Sequence, residues 1–355
     1  MSMKRALFLF FIAIIAINNI HSIEIDGINY NLDDATLTAS VISKNPKYAG
    51  NVVLPSSITF EGQNYSVTQI ESNAFSGCYE LDSIILPQQL EYIGGSAFYS
   101  SGLKYIRIPE RVKEIAGMAF VNCAELDSID IEEGITAIGS YAFANCTKLK
   151  NITIPSSVTN MDPAIFQGCT NLASVRIFGS IQVLETDLFK GCTNLRNFDV
   201  PESVQSISNA FTDCVNLEYV ILHEGIVNLG YDAFYGCTNL RNITLPSSLL
   251  HMYNSLWSCA NIEYIRTYAV NPPDCTGYCF RNINKSIPIY VPAGSGNLYR
   301  SAEHWKSFNN IIEDGNPTGF NPIKPNNKDN KIICNDKVFI LRGEKVYTLQ
   351  GQEVK

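Results

Sequence analysis

The chain repeats itself every 22 or 23 residues, and a fixed period of that length constrains the fold more tightly than any local propensity. In AFANCTKLKNITIPSSVTNM, from Ala142 to Met161, an Ala-Phe pair is followed by a Cys three positions after the Phe, then by Leu, Ile, Ile and Pro. Sliding the sequence along itself returns this skeleton, with the aromatic position filled by Phe75, Phe98, Phe120, Phe143, Phe166, Phe189, Phe211 and Phe234 and closed by Leu256. Each copy is too short to bury its own apolar residues, so the nine copies must stack and share one interior. An array of this kind grows by addition, and its 355 residues need not divide into globular domains.

Period-two alternation decides which side chains face inward. In LKNITI, Leu149, Ile152 and Ile154 point into the coil while Asn151 and Thr153 point out. Pro155 has no N–H to give to a ladder and ends the strand. Val158 and Met161 then open a return face with a second short strand or turn, and Ala164-Ile165-Phe166 is expected in a helical turn closed by Gly168. Coils stacked at about 4.8 Å form a parallel sheet along one side. The expected fold class is therefore a leucine-rich repeat solenoid, mostly β with short helical turns, whose spine is the Phe column. Burial of each ring contributes about 1.5–3 kcal/mol.

The ends read differently from the middle. Lys4 and Arg5 precede an apolar run from Ala6 to Ile17, followed by polar NNIHS, which gives residues 1–22 the form of a secretory signal. The run is shorter than the roughly 20 apolar residues a membrane span requires, so no integral span is expected after cleavage. Residues 23–70 form an N-terminal β cap, with hairpins at Asp26-Gly27 and Glu61-Gly62, because a bare first coil would expose its interior. The array proper covers 71–263. Residues 264–314 make a C-terminal cap, with a strand-like IPIYVP, helical spacing from Leu298 to Phe308, and Trp305 and Phe308 over the last coil. A linker rich in Pro, Gly and Asn spans 315–330, and residues 331–355 alternate around Arg342-Gly343-Glu344 as a small hairpin too short for a core of its own.

Eight of the eleven cysteines occupy one repeat position: Cys78, Cys123, Cys146, Cys169, Cys192, Cys214, Cys237 and Cys259, with Ser101 standing in once. Their neighbours would stack within bridging distance, yet each faces two equivalent partners and packs well as a small apolar group, so reduced thiols are expected. Cys275 and Cys279, in CTGYC, lie beyond the column and are the better placed pair for a bridge.

The repeat I-G-x-x-A-F-x-x-C-x-x-L-x-x-I-x-I-P, written as AIGSYAFANCTKLKNITIP (137–155) and NLGYDAFYGCTNLRNITLP (228–246), resembles the BspA-type leucine-rich repeat family over about residues 50–313. The resemblance implies a right-handed solenoid on a secreted or surface protein that acts in adhesion or other binding, including to host matrix proteins in some relatives. The tail VYTLQGQEVK resembles the C-terminal sorting signals of Bacteroidetes proteins exported by the type IX system, and is shorter than a full sorting domain. It implies attachment at the outer membrane.

Binding chemistry is sought on the strand face, where outward side chains are free to vary. Most are small or polar. Tyr105 and Arg107 stand out early, and the candidates for a ligand are Arg176, Phe178, Tyr219, His223, Tyr264, Arg266 and Tyr268, since exposed aromatics and Arg are the types most enriched at binding hot spots. Against this stands the ordinary preference of tyrosine for strands. The expected partner is a host or neighbouring-cell surface protein, a matrix protein or a glycan. The other reading is a structural spacer or self-assembling coat without a ligand site.

Other functions lack their residues. A net charge of −8, with 26 Lys and Arg scattered singly, leaves no footprint for a phosphate backbone, and no nucleic acid is expected. Four histidines come from different segments, and His223-Glu224 has no nucleophile beside it. GGSAF at 94–98 lacks the Lys of a phosphate loop, and Glu132-Glu133 are solvated neighbours in a turn. CTGYC has no second ligand pair, so no metal, cofactor or catalytic residue is assigned.

Overall fold

The structure is a computed structural model that describes residues 20–314, together with the backbones of three later strands, Lys331–Cys334, Lys337–Arg342 and Lys345–Thr348. The expected signal, up to residue 19, and the expected linker at 315–330 lie outside the described residues.

The coils stack into a β-solenoid of about eleven turns with almost no helix. In the coil of Phe166 the first side is the strand Asn151–Ile154, paired in parallel with Ser174–Ile177 of the next coil. The second side is the two-residue strand Asn160–Met161, paired in parallel with Ala137–Ile138 of the coil before. Leu149, Ile152 and Ile154 are buried while Asn151 and Thr153 are exposed, as the alternation requires.

The third side corrects the expected helical turn. The N–H groups of Ala164, Phe166 and Gly168 donate to the carbonyls of Thr186, Leu188 and Lys190 in the next coil, at 2.8–2.9 Å. Those of Gln167 and Cys169 close turns onto Ala164 and Phe166 within their own coil. Left-handed residues cause the alternation: φ is +61° at Ala164 and +72° at Gly168, two positions either side of the Phe. A right-handed helical run cannot pass through such residues, so every second N–H turns along the solenoid axis and builds a third ladder. The same pair of left-handed positions brackets the aromatic position in every coil from Asn73 and Gly77 to Asn254 and Ser258. At Gly168 a side chain would also collide with the Asn145 amide oxygen stacked beneath it.

Inside, the eight rings from Phe75 to Phe234 are completely buried and nearly parallel, with successive centroids 5.1–5.8 Å apart. That separation lies in the range aromatic pairs favour. The ten cysteines from Cys78 to Cys279 are free thiols, Cys275 and Cys279 included. From Cys123 to Cys259 each column thiol donates to the carbonyl of the Phe, one coil earlier, at 2.9–3.2 Å. A disulfide would remove that donor.

Both ends are covered. Ile20–Ile25 folds back on Ile28–Asp33 around Asp26-Gly27, and Ser57–Phe60 on Gln63–Ile70 around Glu61-Gly62; all four turn residues have φ between +48° and +82°. This is the geometry two-residue hairpins select. Tyr48 continues the ring column at 4.6 Å from Phe75. Past residue 263 the coil geometry continues although the repeat motif fades. Asp274–Thr276 pairs with His251–Tyr253, Leu256 N–H donates to Cys279, and Phe280 takes the aromatic position with Ile283 in place of Cys. Trp305 and Phe308 close over Phe280 edge-on at 4.7 and 5.1 Å, and Trp305 is fully buried. The helical spacing from Leu298 resolves into a short helix, Gly296–Ser301, and one 3-10 turn, Trp305–Ser307. In the tail, Lys337–Arg342 pairs antiparallel with Lys345–Thr348 as a hairpin, and Lys331–Cys334 adds a third strand.

Candidate binding surface

The strand face carries three outward columns, because strand positions alternate and each coil sits in register on the next. The first column contains Asn197, Tyr219, Asn242 and Tyr264, and the second Thr153, Arg176, Asp199, Thr244, Arg266 and Tyr290. The third, just past each strand, is held by proline in most coils, by Glu132 in one and by Phe178, His223 and Tyr268 in three.

The seven candidate residues do not make one patch. Arg176 and Phe178 are exposed, and the Phe178 N–H donates to Ile154 at 3.0 Å, so its ring stands on rigid backbone at 56% exposure. Four coils separate Arg176 from Arg266, about 19 Å at one strand spacing per coil. Tyr219 and Tyr268 are half-buried. His223 does not stand open in a loop: its Nε2 lies 2.7 Å from Asp199 Oδ1 of the preceding coil, with 18% of the side chain exposed. Ile221, not His223, is the register partner of Asp199, and it is buried.

Tyr264 and Arg266 do come together, in a cluster the repeat pattern does not announce. Arg266 Nη1 donates to Asp314 at 2.6 Å and the guanidinium lies 4.7 Å from the centre of the Tyr290 ring, which meets Tyr264 edge-on at 5.8 Å. Burial pushes the Tyr264 hydroxyl above the ordinary phenol range, with Arg266 pulling it back. Tyr290 and Asp314 were missed because they belong to the cap. Asp314 lies 48 residues from Arg266 and reaches it only through the parallel pairing of Asn310–Asp314 with Pro288–Pro292.

Apolar side chains also surface at the other end of this face, where Val53 and Ile85, paired across two coils, are 60% and 61% exposed. Between Ile85 and Phe178 the face is polar and ion-paired: Tyr105 donates to Asp130 at 2.6 Å, and Arg107 bonds Glu132 at 2.5 Å. Among the described residues no group of three or more His, Cys, Asp or Glu is placed to hold a metal ion, and no helix is long and apolar enough to cross a membrane. The arrangement offers side-chain contact on a rigid sheet.

Comparison with solved structures returns solenoids of the same kind. A leucine-rich repeat protein from Bacteroides ovatus is 24% identical over 81% of this chain and 88% of its own, with a TM-score of 0.60. A leucine rich cell surface protein from Faecalibacterium prausnitzii is 20% identical over 81% and 97%, with a TM-score of 0.38. The pneumococcal vaccine antigen PcpA is 17% identical over 83% and 98%, with a TM-score of 0.47. What the first of these shares with the chain is the fold. No curated protein matches. The sequence itself matches the family described as BspA type leucine rich repeat region (6 copies) over residues 51–173 and 160–287, well over half its length. With the coil, its Phe and Cys columns and that match in agreement, the chain belongs to the BspA-type leucine-rich repeat family.

Proposed function

We propose that the protein is an exported binding protein, secreted or held at the cell surface, that docks a protein or glycan ligand on its strand face in the manner of an adhesin. Phe178 carries the reading. It is more than half exposed in an array whose column phenylalanines are fully buried, and it stands beside Arg176 on hydrogen-bonded backbone. Covering such a ring with a partner gains up to about 1.5–3 kcal/mol, and the rigid sheet loses little entropy when it binds. Tyr219, with Tyr264 behind it, extends the surface towards the late coils. Arg266 and His223 serve it less directly, since each is engaged by a carboxylate of the fold.

The family resemblance, the apolar leader and the sorting-like tail support export, and with it a partner drawn from host or neighbouring-cell proteins, matrix proteins or glycans. A coat built by end-to-end stacking is disfavoured, because Tyr48 at one end and Trp305 with Phe308 at the other cover the apolar column. The purified solenoid is to be screened against immobilised matrix proteins, mucins and glycans. Saturable binding is expected, weakened about tenfold or more, at least 1.4 kcal/mol, by Phe178→Ser with Tyr219→Ser. No saturable binding, or binding indifferent to both changes, favours the spacer reading instead.

A further inference from the structure

We propose a second binding site, for a neutral polysaccharide, on the turn side of the last three coils, away from the strand face. The turn side carries two columns beside the aromatic position, partly open to solvent. One, directly after the aromatic position, reads Val121, Ala144, Gln167, Lys190 and Thr212 through the middle coils, then Tyr235, Trp257 and Arg281. The other, three residues before it, reads Ser140, Pro163, Thr186 and Ser208, then Tyr231 and Tyr253. Aromatic rings thus replace small and polar side chains in both columns together only in these late coils, although the first column carries a lone Tyr99 after Phe98 at the early end.

The rings form a ledge of two runs along the axis. Tyr235 meets Trp257 at 4.9 Å and Trp257 meets Tyr278 at 5.3 Å, while Tyr231 stacks on Tyr253 at 5.4 Å. One ring per coil puts them at strand spacing, a step comparable to one pyranose unit, so successive sugars of a chain lying along the axis each meet a ring. Such rings bind the apolar C–H face of a sugar, and the hydroxyl edge needs polar neighbours. One is present in Asn282, whose amide donates to Ser258 at 3.1 Å.

The rings are not all explained as core cover. Tyr231 is 64% and Tyr278 53% exposed, which leaves much of both rings in water. Charge selects the class of glycan. Arg281 is the cation that lies over ledge rings, its guanidinium 4.8 Å from the Tyr278 ring centre and 5.5 Å from that of Trp257, while Asp274 is paired with His251 at 3.6 Å. An anionic polysaccharide would find a single cation for its many charges, and that cation is already laid on two rings, whereas a neutral chain needs only the ring faces and polar neighbours.

The test uses the full chain in affinity gel electrophoresis with soluble mixed-linkage glucan, xyloglucan and galactomannan, and with heparin and polygalacturonate as anionic arms. Retardation by at least one neutral polysaccharide is expected, with at least tenfold weaker binding in Tyr231→Ala with Tyr278→Ala and no change in Asn151→Ala. Fluorescence supplies a second readout on the unaltered protein: of its two tryptophans Trp305 is fully buried, so glycan should shift or quench Trp257 alone. Binding to heparin or polygalacturonate only, binding indifferent to the tyrosine pair, or no response of either kind overturns the proposal. Loss of binding in Phe178→Ser with the tyrosine pair intact would return the glycan to the strand face.

Discussion

Met118 holds a backbone φ of +61° with 48% of its surface exposed. A side chain with a Cβ pays about 1–2 kcal/mol there, and an exposed methionine recovers little of it by packing. The fold imposes the conformation because the third ladder needs a left-handed residue two positions before each ring. Asn73, Asn209 and Asp232 meet the demand with residue types that tolerate it, whereas Met118, Tyr141 and Ala164 do not. Met118→Gly is therefore expected to stabilise the protein by about 0.5–1 kcal/mol, after the extra freedom glycine gives the unfolded chain. Val121→Gly, three residues on and not left-handed, is expected to destabilise it. Urea midpoints of the two variants check this, and effects of the same sign would overturn it. The need was only partly legible: glycine and asparagine at Gly168 and Asn145 spell a turn, but Ala164 reads as a helix former, and the helical turn expected there followed from propensity alone.

At the scale of the column, the cysteines do more than fill space. The Phe143 carbonyl accepts the Cys146 N–H of its own coil at 3.2 Å and the Cys169 thiol of the next at 3.0 Å, so each thiol saturates a buried acceptor. The column was legible as a spacing; the donor role was not, because it depends on the stacking of one coil over another. Burial pushes the Cys123 thiol up to about 11 and Cys169 to about 12, and holds Cys146, Cys192 and Cys237 well above the ordinary thiol range. In the unfolded chain these thiols titrate near about 8.5. Their contribution is fully present below that pH and is lost above it, because the unfolded chain then releases protons that the native column retains. Each thiol removes about 1.4 kcal/mol of stability per pH unit until it ionises in the native state. The thermal midpoint, measured under reducing conditions, is expected to hold from about pH 6 to 8 and fall steeply above about 9. Cys169→Ala with Cys192→Ala should lessen that fall by about 2.8 kcal/mol per pH unit, and a midpoint flat through pH 10 would overturn the account.

For the whole molecule the governing fact is that each coil touches only its neighbours, so stability is a sum along one axis and the ends decide where it is lost. The caps were legible in part. Asp26-Gly27 and Glu61-Gly62 mark hairpins locally, and Trp305 and Phe308 are large apolar residues beyond the last clear repeat. The coil built on Phe280 was not legible, since Ile283 replaces its Cys, and neither was the engagement of Arg266 by Asp314, which no short-range pattern encodes. Trp305 sits fully buried against Phe280 and Tyr299, with its indole N–H donating to Pro273 at 3.0 Å. Truncating it removes an apolar lid of a kind worth about 3–5 kcal/mol and leaves the Pro273 carbonyl without that donor. A globular core would spread the loss through all its amides; a one-dimensional stack should confine it. Trp305→Ala is therefore expected to abolish hydrogen-exchange protection first in the coils of Phe280 and Leu256, while those of Phe98 to Phe143 exchange as before. Uniform loss across the array would mean that the coils unfold as one unit. In that case the late-coil ledge could not loosen independently of the rest, and its aromatic residues would be tied to the stability of every coil beneath them.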